Sequence, residues 1–310
     1  MPSRKSAVKT YLDAKKMFYA KPGKKPRIDG VAAFREIIPT ISTGGGFLAT
    51  LKTVQDQVKA EASSGGISIT KDALKNVRGT WYEWLALYAL WPEIRRTSGG
   101  ELAIFQLPNK TGFDLTKVFG SGAEPILEDL TKDLSMHGTS LESSNPDAIV
   151  VRVPASLRQS LPDSITFEQL AEKQQLFSHL SACLSEMVWT DLVAIVSLKA
   201  SLRPDRRHQS VLEHNRVKAL HYHLMQRAWH RRERLWAYTL TPKFNSSDEK
   251  AAKTALIHSI TQIDVTPQRS TDRLMLLDSD ADATKVSTTL LDDIETWKTE
   301  SVKVRTDANM

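Results

Sequence analysis

The chain has 310 residues, 41% of them hydrophobic and 25% charged, which excludes a disordered or collagen-like chain and fits a globular one with a sizeable core. A net charge of +6, with a pI of about 9.2, is compatible with a polyanionic partner but does not identify one. The single cysteine, Cys183, excludes an internal disulfide and a cysteine-based zinc site. A reducing cytoplasm fits the lone cysteine, and the basic start and the lack of a membrane-length apolar run point to no secretory signal and no membrane partner.

Residues 1–30 are rich in Lys and Pro. The pattern predicts a short helix from Ala7 to Tyr19, then a loop at Lys21-Pro22-Gly23-Lys24-Lys25-Pro26-Arg27, either a basic arm or a solvated terminus. Gly44-Gly45-Gly46 lacks the closing Lys-Ser/Thr of a phosphate loop, so it reads as a turn before a helix from Phe47 to Ala62. Thr70 is an N-cap candidate for a second helix ending near Leu90, before Pro92. Glu83 lies inside its aromatic stretch Trp81-Tyr82-Glu83-Trp84. Next come a strand from Glu101 to Leu107 and a short helix from Ile126 to Leu134. Ser143-Ser-Asn-Pro146-Asp147 is a turn ending at the mouth of a β-branched strand.

An amphipathic helix spans Phe167 to Leu184. After it, Val193, Ile195, Ser197 and Lys199 alternate with Ala194, Val196 and Leu198. Both faces are mainly apolar, as expected of a central strand covered on both sides. Arg203-Pro-Asp205-Arg206-Arg207 forms a basic turn before a helix from His208 to Trp229. A strand from Leu235 to Leu240, a helix from Ala251 to Ile260, a strand from Arg273 to Leu277 and a helix from Val286 to Trp297 complete the order. Alternating strands and helices mean an α/β sheet with helices on both sides. The chain reads as one domain: 1–100 mainly helical, 101–280 an α/β core, and 281–310 a C-terminal helix and tail.

Charge is unevenly placed. Segment 203–234 carries Arg203, Arg206, Arg207, Arg216, Lys218, Arg227, Arg231, Arg232 and Arg234 against only Asp205, Glu213 and Glu233. His214, His221, His223 and His230 lack a defined zinc spacing and read as a polar helix face. Trp229, Trp236 and Tyr238 are candidates for base stacking or, more commonly, for core. Asp147 and Lys199 each end up at a strand edge. A carboxylate that holds a divalent cation, beside a lysine that orients water, is the equipment of phosphodiester hydrolysis. The PD…(D/E)xK pattern is weak by itself here. Pro-Asp also occurs at 162–163 and 204–205, and position 197 is serine where an acid is usual.

The run Ser197-Leu-Lys199-Ala-Ser-Leu-Arg203-Pro-Asp205-Arg206, followed by Glu213, resembles the CCGG-recognising branch of type II restriction endonucleases. That branch carries Ser/Thr-x-Lys on the strand, a relocated glutamate on the next helix, and Lys-x-x-x-Arg-x-Asp-Arg. Glu213 lies 213 − 199 = 14 residues after the lysine. The resemblance implies a restriction-endonuclease-like mixed central sheet flanked by helices, with an additional N-terminal helical region. It implies that Asp147 and Glu213 bind Mg²⁺, that Lys199 serves the attacking water, and that Ser197 stands in for the displaced acid. Glu83 would correspond to a further helix glutamate, with Glu93 and Glu101 as competitors.

Arg203, Asp205 and Arg206 suit the guanine O6/N7 edge and cytosine N4, and Arg207 is a further DNA-contact candidate. The resemblance further implies double-stranded DNA as substrate, cleavage to 5′-phosphates with 5′ overhangs, a homodimer or a tetramer of two dimers, and a cognate methyltransferase in a prokaryotic cytoplasm. The rival readings are a non-catalytic DNA-binding protein and a less specific repair or recombination nuclease.

Overall fold

The computed structural model describes residues 9–40, 45–108, 113–140, 145–172, 174–228, 234–254 and 268–307. Ala7, Gly44, Ser143, Trp229, His230, Arg231, Arg232, Glu233 and the end of the expected Ala251–Ile260 helix lie outside them.

The N-terminus departs from expectation. In place of a helix from Ala7 to Tyr19 there is a small antiparallel sheet of β1 (Thr10–Tyr11), β2 (Phe18–Ala20) and β3 (Arg27–Ile28). The Asp13 carboxylate closes the first turn by accepting from the backbone of Met17 at 3.1 Å and Phe18 at 2.8 Å. Tyr11 pairs directly with Tyr19, ring centroids 6.4 Å apart, a cross-strand contact that favours the hairpin. The Lys21–Pro26 stretch is the next turn, with Lys24 and Lys25 exposed.

Three helices follow: α1 (Gly30–Ile37), α2 (Phe47–Ser64) and α3 (Lys71–Thr97). Gly46 has φ 89°, and a Cβ there would stand 3.0 Å from the carbonyl of Asp278, so the turn requires glycine. Thr70 caps α3 by accepting from Ala73 N at 3.1 Å. Contrary to expectation, α3 runs through Pro92 to Thr97. An interior proline costs about 3 kcal/mol. Burying Trp91 and Ile94 on either side of the proline returns about 1.5–3 kcal/mol each. The buried Arg95 guanidinium adds hydrogen bonds to the carbonyls of Gly100 and Arg158.

The central sheet has the order β4 (Leu102–Gln106), β5 (Ala148–Arg152), β6 (Leu192–Leu198), β7 (Trp236–Thr241), β8 (Arg273–Leu276). Its first three strands are antiparallel, and β6, β7 and β8 are parallel. All of β6 is buried at the middle of the sheet, as its two apolar faces require. The flanking helices are α4 (Glu124–Met136), α5 (Phe167–Glu172), α6 (Gln174–Glu186), α7 (Pro204–Arg227), α8 (Ser246–Ala252) and α9 (Asp280–Asp307).

Caps set two helix starts. Helix α8 begins at Ser246, ahead of the helix expected from Ala251 to Ile260, where Asn245 and Asp248 form a reciprocal capping box, and it ends at Ala252. The last helix starts before Val286 because Ser279 accepts from Asp282 N at 3.2 Å. The N-terminal helices are tied to this distant end of the chain. Tyr82 donates to the carbonyl of Leu277 at 2.9 Å, Leu48 N donates to Asp278 Oδ1 at 2.7 Å, and Thr97 meets Ser287. Among the described residues no helix is long and apolar enough to cross a membrane.

Candidate active site

Antiparallel pairing brings the start of β5 beside the end of β6, with Ala148 opposite Val196. Asp147 immediately precedes β5 and Lys199 immediately follows β6, so the two meet. Lys199 Nζ donates to Asp147 Oδ2 at 2.7 Å, and the backbone N of Leu198 donates to the same oxygen at 2.7 Å. Lys199 is only 5% exposed, and its own backbone N continues the ladder to the carbonyl of Leu240.

α7 delivers the second carboxylate. Glu213 is 1% exposed, and its Oε2 lies 3.7 Å from Lys199 Nζ. Ser197 Oγ donates to that oxygen at 3.2 Å, and Gln209 Nε2 donates to Oε1 at 2.8 Å. Burial opposes the charged form of Lys199, but Asp147, Glu213 and Glu83 outweigh it and its pKa is raised. Burial, with the Asp147 charge, raises the Glu213 pKa against the lowering pull of Lys199. A buried ammonium thus joins two carboxylates, and the arrangement is costly unless all three stay together.

Glu83, from α3, accepts from Gln106 Nε2 at the end of β4 at 2.9 Å and contributes to the field at Lys199. Its two competitors are engaged elsewhere: Glu93 with Arg96 at 2.6 Å and Glu101 with Arg158 at 3.1 Å. Among the described residues no three His, Cys, Asp or Glu side chains form a ready metal cluster. The donors are nevertheless hard carboxylate oxygens from two residues that already share one positive charge. Mg²⁺ is commonly held by one or two carboxylates, with water and substrate phosphate completing its shell. The residues present fit such an ion.

The basic turn is partly helical. α7 begins at Pro204, not at His208, because proline's fixed φ suits a first helical position and Asp205 suits the positive end of the dipole. Arg203, Asp205 and Arg206 are exposed beside the site. Arg203 pairs with Asp205 at 3.2 Å and Arg206 donates to Gln209 at 3.2 Å. Arg207 turns to α8, meeting Asp248 at 3.2 Å and Ser247 at 3.1 Å.

Other readings are corrected. His214 and His221 do not form a polar face; both are buried, because α7 packs into the core on that side. His214 meets Thr271 at 2.9 Å and His221 packs on Trp189. Lys218, counted with the basic surface, is buried and bound to Asp272 at 2.6 Å. Trp236 and Tyr238 are core, Tyr238 donating to Asp293 at 2.7 Å. The sequence reading missed Gln209 and Gln106. Gln209 had a signal, its i, i+4 spacing to Glu213 on one helix.

A family model described as Cfr10I/Bse634I restriction endonuclease matches residues 20–293. The type II restriction enzyme Cfr10I of Citrobacter freundii is 27% identical over 242 residues, 75% of this chain and 83% of that protein. The crystal structure of the type IIF restriction endonuclease Bse634I with cognate DNA matches with TM-score 0.77 and 29% identity, over 91% of this chain and 99% of that one. A second Bse634I structure gives TM-score 0.75 over the same shares. A deoxyribonuclease fold, a strand-end carboxylate and lysine, and a match over nearly the whole chain converge: the protein belongs to the Cfr10I/Bse634I family of type II restriction endonucleases.

Proposed function

We propose that this enzyme cuts double-stranded DNA at a palindromic site built on CCGG, or on a related CC/GG core, in a Mg²⁺-dependent hydrolysis that leaves 5′-phosphates and 5′ overhangs. The observation that carries the reading is the Lys199 ammonium shared by Asp147 and Glu213, with Ser197 bound to Glu213 where an acid is usual.

In this reading Asp147 and Glu213 hold the cation, which when bound polarises the scissile phosphate as a Lewis acid. Lys199, kept charged by its carboxylates, donates to the attacking water and offsets negative charge developing on the phosphate. Ser197 and Gln209 orient the Glu213 oxygens. Glu83 adds negative charge at the edge of the site. Arg203 and Arg206 read guanine edges and Asp205 accepts from cytosine N4, while Arg207 supports the turn or reaches phosphate.

A palindrome is met most simply by a two-fold dimer in which each protomer cuts one strand, and a tetramer of two such dimers is compatible with it. A cognate methyltransferase would protect the DNA of a prokaryotic host, in whose cytoplasm the enzyme works. Digestion of a sequenced plasmid with Mg²⁺, followed by mapping of the ends, tests the reading. Breaks scattered over the sequence, or unchanged cutting in EDTA, overturn it.

A further inference from the structure

We infer that Gln209 is a positioning residue that couples the Arg206 guanidinium to the Glu213 carboxylate. This rests on the reading of Glu213 as a cation ligand and Arg206 as a base reader. Positions 206, 209 and 213 lie on one face of α7. Arg206 Nη1 donates to Gln209 Oε1 at 3.2 Å, and Gln209 Nε2 donates to Glu213 Oε1 at 2.8 Å.

The amide is used at both ends in opposite senses. Flipped, it would turn its N–H groups on the guanidinium and its oxygen on the carboxylate, so its two neighbours jointly fix its orientation. The other Glu213 oxygen is taken by Ser197 and faces Lys199. Gln209 therefore sets the oxygen that the strand does not. Arg206 and Gln209 are exposed, whereas Glu213 is 1% exposed. When Arg206 leaves for a base edge, the amide loses the partner that holds its oxygen. Base reading is thus felt at Glu213 two hydrogen bonds away.

The test is uptake of Mn²⁺, followed by electron paramagnetic resonance, by the full chain without DNA, where Arg206 stands on Gln209. Gln209→Met should weaken uptake roughly 10–100-fold, the usual cost of losing a contact that orients a ligand. Arg206→Ala should weaken it too, and the double variant no further than the larger single effect, as coupled groups require. In Ca²⁺, Gln209→Met should keep the preference for CCGG over duplexes altered at one base pair. Unchanged uptake, losses that add, or a lost preference would overturn the coupling. Gln209 is exposed, so its variants should fold; circular dichroism checks this, and Gln209→Leu serves as a second variant. If Glu213→Gln takes up Mn²⁺ as well as the unaltered chain does, the cation-ligand reading itself has failed and the coupling with it. If only Gln209→Met is silent, the coupling alone has failed.

Discussion

Lys199 donates to Asp147 at 2.7 Å from a place that is 5% exposed, and it holds Glu213 on its other side. Lys199→Ala should abolish cleavage and leave two carboxylates facing each other without a cation. The thermal midpoint should then fall in EDTA, and Ca²⁺ should restore it by more than it raises that of the unaltered protein. Equal Ca²⁺ shifts in both proteins would show that Asp147 and Glu213 do not share a cation.

Ser197 reaches the same Glu213 oxygen that faces Lys199. Glu213→Gln should slow single-turnover cleavage by at least about a hundredfold, equivalent to about 2.7 kcal/mol. Ser197→Glu combined with Glu213→Ser moves the carboxylate from helix to strand and should recover part of that loss. Cleavage by Glu213→Gln at the unaltered rate would assign the cation to Glu83 or another acid.

An exposed aspartate between two arginines is repelled by phosphate, so it belongs at a DNA surface only if it meets a donor. Arg203→Ala or Arg206→Ala should cost about 1–3 kcal/mol of discrimination between CCGG and single-base variants in Ca²⁺ competition binding. Neutralising the exposed Lys24 or Lys25 should weaken binding to all duplexes alike. A specific-to-nonspecific ratio unmoved by Arg203→Ala and Asp205→Ala would remove this turn as the reader.

His221 lies between Phe119 and Trp189, and burial, with the Lys218 charge, pushes it from 6.5 down to about 3. Below about pH 6.5 the unfolded chain binds a proton that the folded chain refuses, so stability present above that pH is lost as the pH falls toward 3. The slope is about 1.4 kcal/mol per pH unit, and His214 acts in the same sense. Urea unfolding at about pH 7 and about pH 5 should show His221→Phe losing roughly 2 kcal/mol less than the unaltered chain. Identical losses would mean that His221 is charged in the fold.

The central strand was legible because Leu192–Leu198 is apolar on both faces, and the Thr70 cap because its chemistry is local. Asp147 and Lys199 were singled out by a motif and Glu213 by the family resemblance, but the meeting of Asp147 and Lys199 depends on β5 and β6 pairing antiparallel, which no local pattern states. The N-terminal hairpin escaped because its strands have only two or three residues, too few to show a period of two. Helix α3 passed its proline because of tertiary burial of Trp91 and Ile94. His214 and His221 were misplaced because a histidine run says nothing about which side of α7 meets the core.

Helix α3 meets α9 very late. The bonds from Tyr82 to Leu277 and from Thr97 to Ser287 join segments that leave the ribosome far apart in time, since 280 − 97 = 183 residues separate the end of α3 from the start of α9. At about 5–20 residues per second, that is a wait of roughly 10–40 s before α9 can close on the side of α3 that carries Thr97. The strands of the cutting centre can all be synthesised before the chain can close. Pulse-labelled hydrogen exchange during refolding should therefore show α3 protected together with α9, not ahead of it. Early protection of α3 alone would mean that the N-terminal helices stand by themselves.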